Sequence, residues 1–304
     1  MHNQTVGLGG IEHDGMETQV VSRRPSVWVR LRSDRASRLG FAILAVVFLS
    51  AVFAPWLAPA DPMQQDLLLQ RAPPSLAHLV GLLGRDDLGR DILSRLLYGG
   101  RYTLGAGVFA VVVGATVGVP FGLVAGYVGG LVEALIMRTV DGLLSFPAFL
   151  LAVVVVAILG PSLVNAALAV GISGIPAYTR LVRGNVLSAK HEPYVDAAIS
   201  IGCSPWQVMF RHILPNVAAP IVVLASLSTA TAILSIAGLS FLGLGAQPPT
   251  PEWGVMLGEG QDYIRSAPFL TIVPGMAIML VVVAFNLIGD ALRDAIEIRG
   301  HTAR

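Results

Sequence analysis

Residues 103–127 read TLGAGVFAVVVGATVGVPFGLVAGY. No side chain in the stretch is charged, and it exceeds the roughly 20 apolar residues that carry a helix across the bilayer core. Small residues recur at a fixed step through it: Ala106, Ala110, Gly114, Gly118, Gly122, Gly126 and, just beyond, Gly130. In lipid, helix association rests on close packing over small residues rather than on hydrophobicity. A four-residue step overshoots the 3.6-residue turn, so the stripe winds around the helix. Gly114, Gly118, Gly122 and Gly126 are therefore expected to be packing positions, within the chain or against a second subunit.

Five further apolar stretches lie on either side, at about 39–58, 142–160, 163–182, 217–243 and 269–289. Six spans predict an all-α polytopic membrane protein. Composition agrees: 54% of the 304 residues are hydrophobic and 13% charged, against about 25% charged in a soluble domain, and the mean hydropathy is +0.72. Such a chain is neither an ordinary soluble enzyme nor disordered. Pro120, Pro147, Pro176, Pro220 and Pro274 sit within or at the edge of spans, where each can kink its helix.

Charge sets the expected orientation. Arg23, Arg24, Arg30, Arg32, Arg35 and Arg38 precede the first span, and Arg138 lies between the second and third. Arg180, Arg183, Lys190 and Arg211 surround the connection of the fourth and fifth, and Arg293, Arg299 and Arg304 end the chain. With both termini inside, these fourteen of the twenty basic residues are cytoplasmic, as the positive-inside rule requires. The first apolar run is long enough to span, so an uncleaved helix is expected although Ala58-Pro59-Ala60 faintly resembles a signal-peptide cleavage site.

Several chemistries are excluded or disfavoured. The net charge of +1 shows no basic excess for nucleic acid. Lys190, the single lysine, stands between Ala189 and His191, so no phosphate-binding G-x-x-x-x-G-K-[ST] loop exists. Cys203 is the only cysteine and no histidine lies inside a span. No metal site and no catalytic residue are expected. Gly171-Ile172-Ser173-Gly174 has the look of an intramembrane serine nucleophile, but the later spans hold no histidine base. The span centres also lack the carboxylates and histidines of ion-coupled carriers.

Between spans four and five the chain reads HEPYVDAAISIGCSPWQ, residues 191–207. Pro193 suits a first helical turn, Tyr194–Ile201 a short helix, and Gly202 its stop. Ser204 and Gln207 have capping-box spacing, with Pro205 at the first helical position. A second short helix is expected to reach Leu214, with Pro215-Asn216 turning into span five. Ala197 and Ala198 leave one surface of the first helix small. On the other side, Asp86/Arg90 and Asp91/Arg95 have four-residue spacing, which predicts ion pairs along a helix at 84–101 lying on the outer membrane surface.

Asp196-Ala197-Ala198, Gly202 and Leu214-Pro215 resemble the E-A-A…G…L-P loop of importer-type ABC permeases, with Asp196 in place of the usual glutamate. Three further segments are similar to the dipeptide/oligopeptide/nickel/glutathione branch, most of all to its C-type permeases. The first is Leu88-Gly89-Arg90-Asp91 with Ser94-Arg95, Tyr98-Gly99 and Arg101. The second is Ser240-Phe241-Leu242-Gly243-Leu244-Gly245 with Pro248-Pro249 and Glu252-Trp253-Gly254. The third is Asn286 to Asp294. Arg85 stands where a threonine is usual.

The resemblance implies a type I ABC importer permease fold in the bacterial inner membrane. It implies a second permease in a heterodimer, two ATP-binding subunits that hold ATP and Mg, an extracytoplasmic solute-binding protein, and no cofactor on this chain. Tyr194, Asp196, Ala197, Ala198, Gly202, Leu214 and Pro215 would couple to the ATPase. Arg90, Asp91, Arg95 and Trp253 would offer extracytoplasmic contacts. The implied solute is a di- or oligopeptide or a glutathione-like molecule, with nickel or another small solute as the alternative. The expected divisions are a cytoplasmic tail at 1–38, the first span and outer segment at 39–101, a permease core at 102–295 with a coupling loop at about 184–215, and a tail at 296–304.

Overall fold

The computed structural model describes residue 31 and residues 34–301. Most of the expected N-terminal tail, with Arg23, Arg24, Arg30 and Arg32, and the last three residues with Arg304 lie outside them. Among the described residues, nine helices of eight residues or more carry the architecture: α1 (Arg35–Val52), α2 (Ile92–Val128), α3 (Gly130–Leu144), α4 (Ala148–Leu159), α5 (Leu163–Ala189), α6 (Pro193–Ser200), α7 (Pro205–Phe241), α8 (Trp253–Gly260) and α9 (Phe269–His301). Among the described residues there is no strand, only one isolated bridge between Arg85 and Asp91.

Among the described residues, four helices are long and apolar enough to cross a membrane: α1, α2, α7 and the Phe269–Ile296 part of α9. The expected third span is broken. α3 and α4 meet at 90° across residues 145–147, because Pro147 disfavours helix in the residue before it. The bent pair makes a fifth crossing if counted as one span. α5 covers the expected fourth span and is 27 residues, about 40 Å at 1.5 Å per residue. Arg180 and Arg183 dilute its apolar content.

Two other expectations are corrected. No separate helix occupies 84–101. Residues 85–91 form a turn held by Asp86 and Asp91, and the helix that begins at Ile92 runs on as one 37-residue helix to Val128. Asp91 caps it instead of pairing with Arg95, accepting from the Ser94 amide and hydroxyl at 2.8 and 2.7 Å. Nor does Pro215-Asn216 turn the chain. α7 passes through as a continuous helix whose Val208–Ile213 turn is π-helical. The wider turn relieves the clash that the Pro215 ring would make with the preceding carbonyls.

The small-residue stripe of α2 packs within the chain, chiefly against α5. A Cβ on Gly118 would lie 2.6 Å from the Tyr178 Cβ, one on Gly122 2.7 Å from the Thr179 carbonyl, and one on Gly126 2.7 Å from the Val186 Cβ. Gly114 faces the Gly171 carbonyl. α7 lies against α2, α5 and α9, and α1 lies on α9 and α2. The bundle thus has a loop end, where α6 sits, and an opposite platform end built from residues 59–91 and 242–268.

Candidate functional site

At the loop end, α6 follows α5 after a short turn. Its boundaries are set by its own residues. Pro193 occupies the first turn. At the other end Gly202 takes φ +85°, the Gly202 amide donates to the Ile199 carbonyl at 3.0 Å, and the Cys203 amide donates to the Ala198 carbonyl at 3.1 Å. This is a Schellman stop. The next helix opens on a complete capping box between Ser204 and Gln207. The corner is therefore rigid without help from a partner.

Beneath it, Val195 and Ala198 are buried with Val182, Val186, Val208, Ile213 and Leu123. This corrects the reading of Ala198 as part of a free small surface: the helix turns it inward. Tyr194, Asp196, Ala197, Gly202 and Pro215 are exposed, and Leu214 is half-buried. The tertiary structure adds three residues that the sequence reading did not single out. Ile199, Ile201 and Trp206 are exposed, Ile201 to 80% and Trp206 to 63%, and Trp206 stacks on Phe210 with centroids 4.2 Å apart. The signal for them was a run of apolar residues at the polar corner of a loop. Partial burial, with the Glu192 carboxylate, pushes the Tyr194 phenol above its ordinary pKa. Beside the corner, Arg180 pairs with Asp141 at 2.6 Å and the Arg183 Nε donates to Glu133 at 2.6 Å, tying α5 to α3.

The platform end gathers the second set of candidates, and here the structure overturns the expectation. Arg90, Asp91, Arg95 and Trp253 are all buried, Arg90 to 1% exposure and Arg95 to 0%, so none presents a contact surface. Arg90 Nε donates to Asp86 at 2.6 Å. Both arginines donate to Glu259 of α8, at 3.0 and 2.8 Å. Trp253 Nε1 donates to the Leu96 carbonyl at 3.0 Å. Glu252, also buried, caps α8 at the Val255 amide and accepts from Thr103 at 3.1 Å. The cluster locks residues 85–103 to α8.

Burial holds the Glu252 and Glu259 carboxyls above their ordinary pKa, Arg95 and Arg90 partly opposing this at Glu259. Burial works against the charge of Arg90, but Glu259 and Asp86 outweigh it and leave its pKa raised. Carboxylate oxygens of Asp86, Asp87 and Glu259 come within 4.8 Å of one another. The two guanidiniums inserted among them are the charges that bring them together.

Between the two ends, α2, α4, α5 and α7 enclose a cavity of about 280 Å³ with no charged residue in its lining. Ser173 lines it, and its hydroxyl donates to the Ala169 and Val170 carbonyls of its own helix. The hydroxyl is thus bonded back onto its own helix.

The described residues thus form a bundle of apolar helices with a neutral cavity inside and a helical corner at one end, the architecture of a polytopic membrane protein. The chain belongs to the family described as binding-protein-dependent transport system inner membrane component, whose model matches residues 118–299. A second model, the N-terminal TM domain of oligopeptide transport permease C, matches residues 23–74. The chain is 46% identical over 271 residues to the glutathione transport system permease protein GsiD of Escherichia coli O6:K15:H31 (strain 536 / UPEC), covering 89% of this chain and 88% of that one. The protein of the same name from Shigella dysenteriae serotype 1 (strain Sd197) is 47% identical over the same share. Among solved structures, inward-facing conformations of the MetNI methionine ABC transporter match with a TM-score of 0.52 at 19% identity, covering 65% of this chain and 94% of that chain. That likeness is one of fold.

Proposed function

We propose that this chain is one permease of an ATP-driven importer that takes up glutathione-like or other short peptides delivered by an extracytoplasmic binding protein. It works in a heterodimer with a second permease and on two ATPase subunits. ATP and Mg belong to those subunits, and this chain binds no cofactor. Both termini lie in the cytoplasm, so the loop end is cytoplasmic and the platform end extracytoplasmic. α5 is the sixth crossing, the bent α3–α4 pair counting as one. Sheltered by α2, α4 and α7, it needs less apolar surface than a lipid-facing span.

The observation that carries the coupling role is the self-capped α6 corner with its exposed Tyr194, Asp196, Ala197, Ile199 and Trp206. A helix stopped by Gly202 and rooted by Val195 and Ala198 moves as a unit with α5 and α7. An ATPase closing against it would therefore shift the spans together. Leu214 and Pro215 lie at the root of α7, where the π-helical turn gives way to regular helix. The peptide class of the solute is supported by the names of the relatives at 46–47% identity.

The test is Asp196→Arg in the complete complex reconstituted with its binding protein. The folded spans should persist while binding-protein-stimulated ATP hydrolysis and uptake are lost together. Normal stimulation in this variant counts against α6 as the docking element.

A further inference from the structure

The cavity between α2, α4, α5 and α7 holds a pattern that packing does not explain. Of the hydroxyls in this part of α7, Ser226 and Thr229 bond the Phe285 and Ala225 carbonyls, whereas Ser228, Thr231 and Ser235 line the cavity with Leu224. Positions 224, 228, 231 and 235 fall on one face of a helix. Thr231 is exposed and Ser228 and Ser235 half-buried, so the stripe opens on a side that none of the described helices covers.

Across from it stands Tyr178 of α5, 2% exposed. Its hydroxyl is buried and makes no hydrogen bond of good geometry, the Ser228 hydroxyl being the one side chain near enough to share one. A buried hydroxyl held by one poor contact has capacity for another partner, and Phe would fill the same space without needing one. The Tyr178–Ser228 pair therefore offers hydroxyls to a third hydrogen-bonding group at the cavity wall.

We infer that this cavity is the chain's share of the solute path, and that Tyr178 and Ser228 hydrogen-bond the solute in passage. The inference rests on the importer reading above and deepens it. A wall of neutral hydroxyls and aliphatic groups suits a solute rich in amide donors and acceptors, such as a short peptide. It does not suit a bare divalent cation, which takes carboxylates, imidazoles or thiolates; the lining has none of these and no methionine. A charged lining would trap a zwitterion, whereas weak neutral contacts let it leave.

The experiment uses the complete complex with its binding protein in proteoliposomes. Thr231→Cys and Ser235→Cys are treated with a charged, membrane-impermeant thiol reagent and with an apolar one. Val222→Cys and Leu234→Cys serve as controls, being exposed positions of α7 outside the cavity lining. The unmodified complex, with its native Cys203, is the blank. The inference expects the charged reagent to label positions 231 and 235 but not 222 and 234, with glutathione-loaded binding protein and ATP slowing that labelling. Labelling of 231 and 235 by the apolar reagent alone overturns the path.

Tyr178→Phe and Ser228→Ala should each lower peptide uptake at saturating loaded binding protein about five-fold, the factor one hydrogen bond of ~1 kcal/mol supports. Stimulated ATP hydrolysis should stay unchanged. Unchanged uptake in both variants overturns their role. Uptake of Ni²⁺ but of no peptide by the parent complex overturns the peptide reading and the amide-matching claim, while charged labelling at 231 would leave the path standing.

Discussion

Gly122→Ala separates close helix packing from mere helix propensity. Gly122 and Gly105 both lie in α2. A Cβ at Gly105 meets nothing within 4 Å, whereas one at Gly122 would lie 2.7 Å from both the Thr179 carbonyl and the Val182 Cβ, and 3.1 Å from the Arg183 amide. Two of these obstacles are backbone and the third is a branched Cβ, so none can swing away. α2 and α5 must separate by several tenths of an ångström along a contact that continues through Gly118 and Gly126. Overpacking of this kind costs about 1–3 kcal/mol. At Gly105 the same substitution gains helix propensity worth about 1 kcal/mol. Gly122→Ala gains the same propensity, so the two variants should differ in stability by the overpacking alone, about 1–3 kcal/mol, with Gly105→Ala at or above the parent and Gly122→Ala the less stable of the two. Thermal unfolding of the purified chain in one detergent, read by a thiol-reactive dye on Cys203, orders all three. Equal midpoints for the two variants, or a higher one for Gly122→Ala, would falsify the claim that the stripe is an intrachain seam.

Two further outcomes concern the platform. Glu259→Ala leaves Arg90 and Arg95 buried with one partner fewer, and loss of one member of a buried ion cluster costs about 3–5 kcal/mol; a sharp fall in folded yield, with Asp87→Asn far milder, is the expected comparison. Glu252 has its folded pKa raised by burial. Between its ordinary value and that raised value the unfolded chain binds fewer protons than the folded one, so this group lowers stability as pH rises through the window. Glu252→Gln should flatten that decline in a midpoint-against-pH series, and an unchanged slope would show that the carboxyl is ionised without penalty.

Much of the loop-end corner was legible because its determinants are local. Pro193, Gly202, Ser204, Pro205 and Gln207 act on the backbone within a few residues, and the structure places the stop and the capping box where they indicate. The Gly114–Gly126 stripe was legible as packing, but its partner was not, since a small residue states only that something comes close. The outer cluster was legible in part: Asp86 and Arg90 pair at 2.6 Å as their spacing indicates, but not along a helix, and Asp91 does not pair with Arg95. Asp86, Arg90, Asp91 and Arg95 have helix spacing, yet Gly84 and Gly89 take φ +89° and +73°, and the turn they make places Asp91 as a cap. The partner that draws both arginines inward, Glu259, is 164 residues from Arg95, and no local pattern reports such a distance. The span count is intermediate: α5 carries Arg180 and Arg183, which pair with Asp141 and Glu133 of α3, and hydropathy registers a charge but not its partner.

By itself, then, the sequence determined the solvent of this protein and the local geometry of its loop. Scarce charge and long apolar runs leave only a bilayer, and capping residues act at short range. Tertiary structure alone decided which side chains meet. It buried Arg90, Arg95 and Trp253 in a platform, turned Ala198 inward and left Ile201 and Trp206 outside. It also drew Tyr178 to a hydroxyl stripe 50 residues along the chain. These outcomes depend on how helices distant in sequence cross, and the crossing is set by the summed packing of their faces.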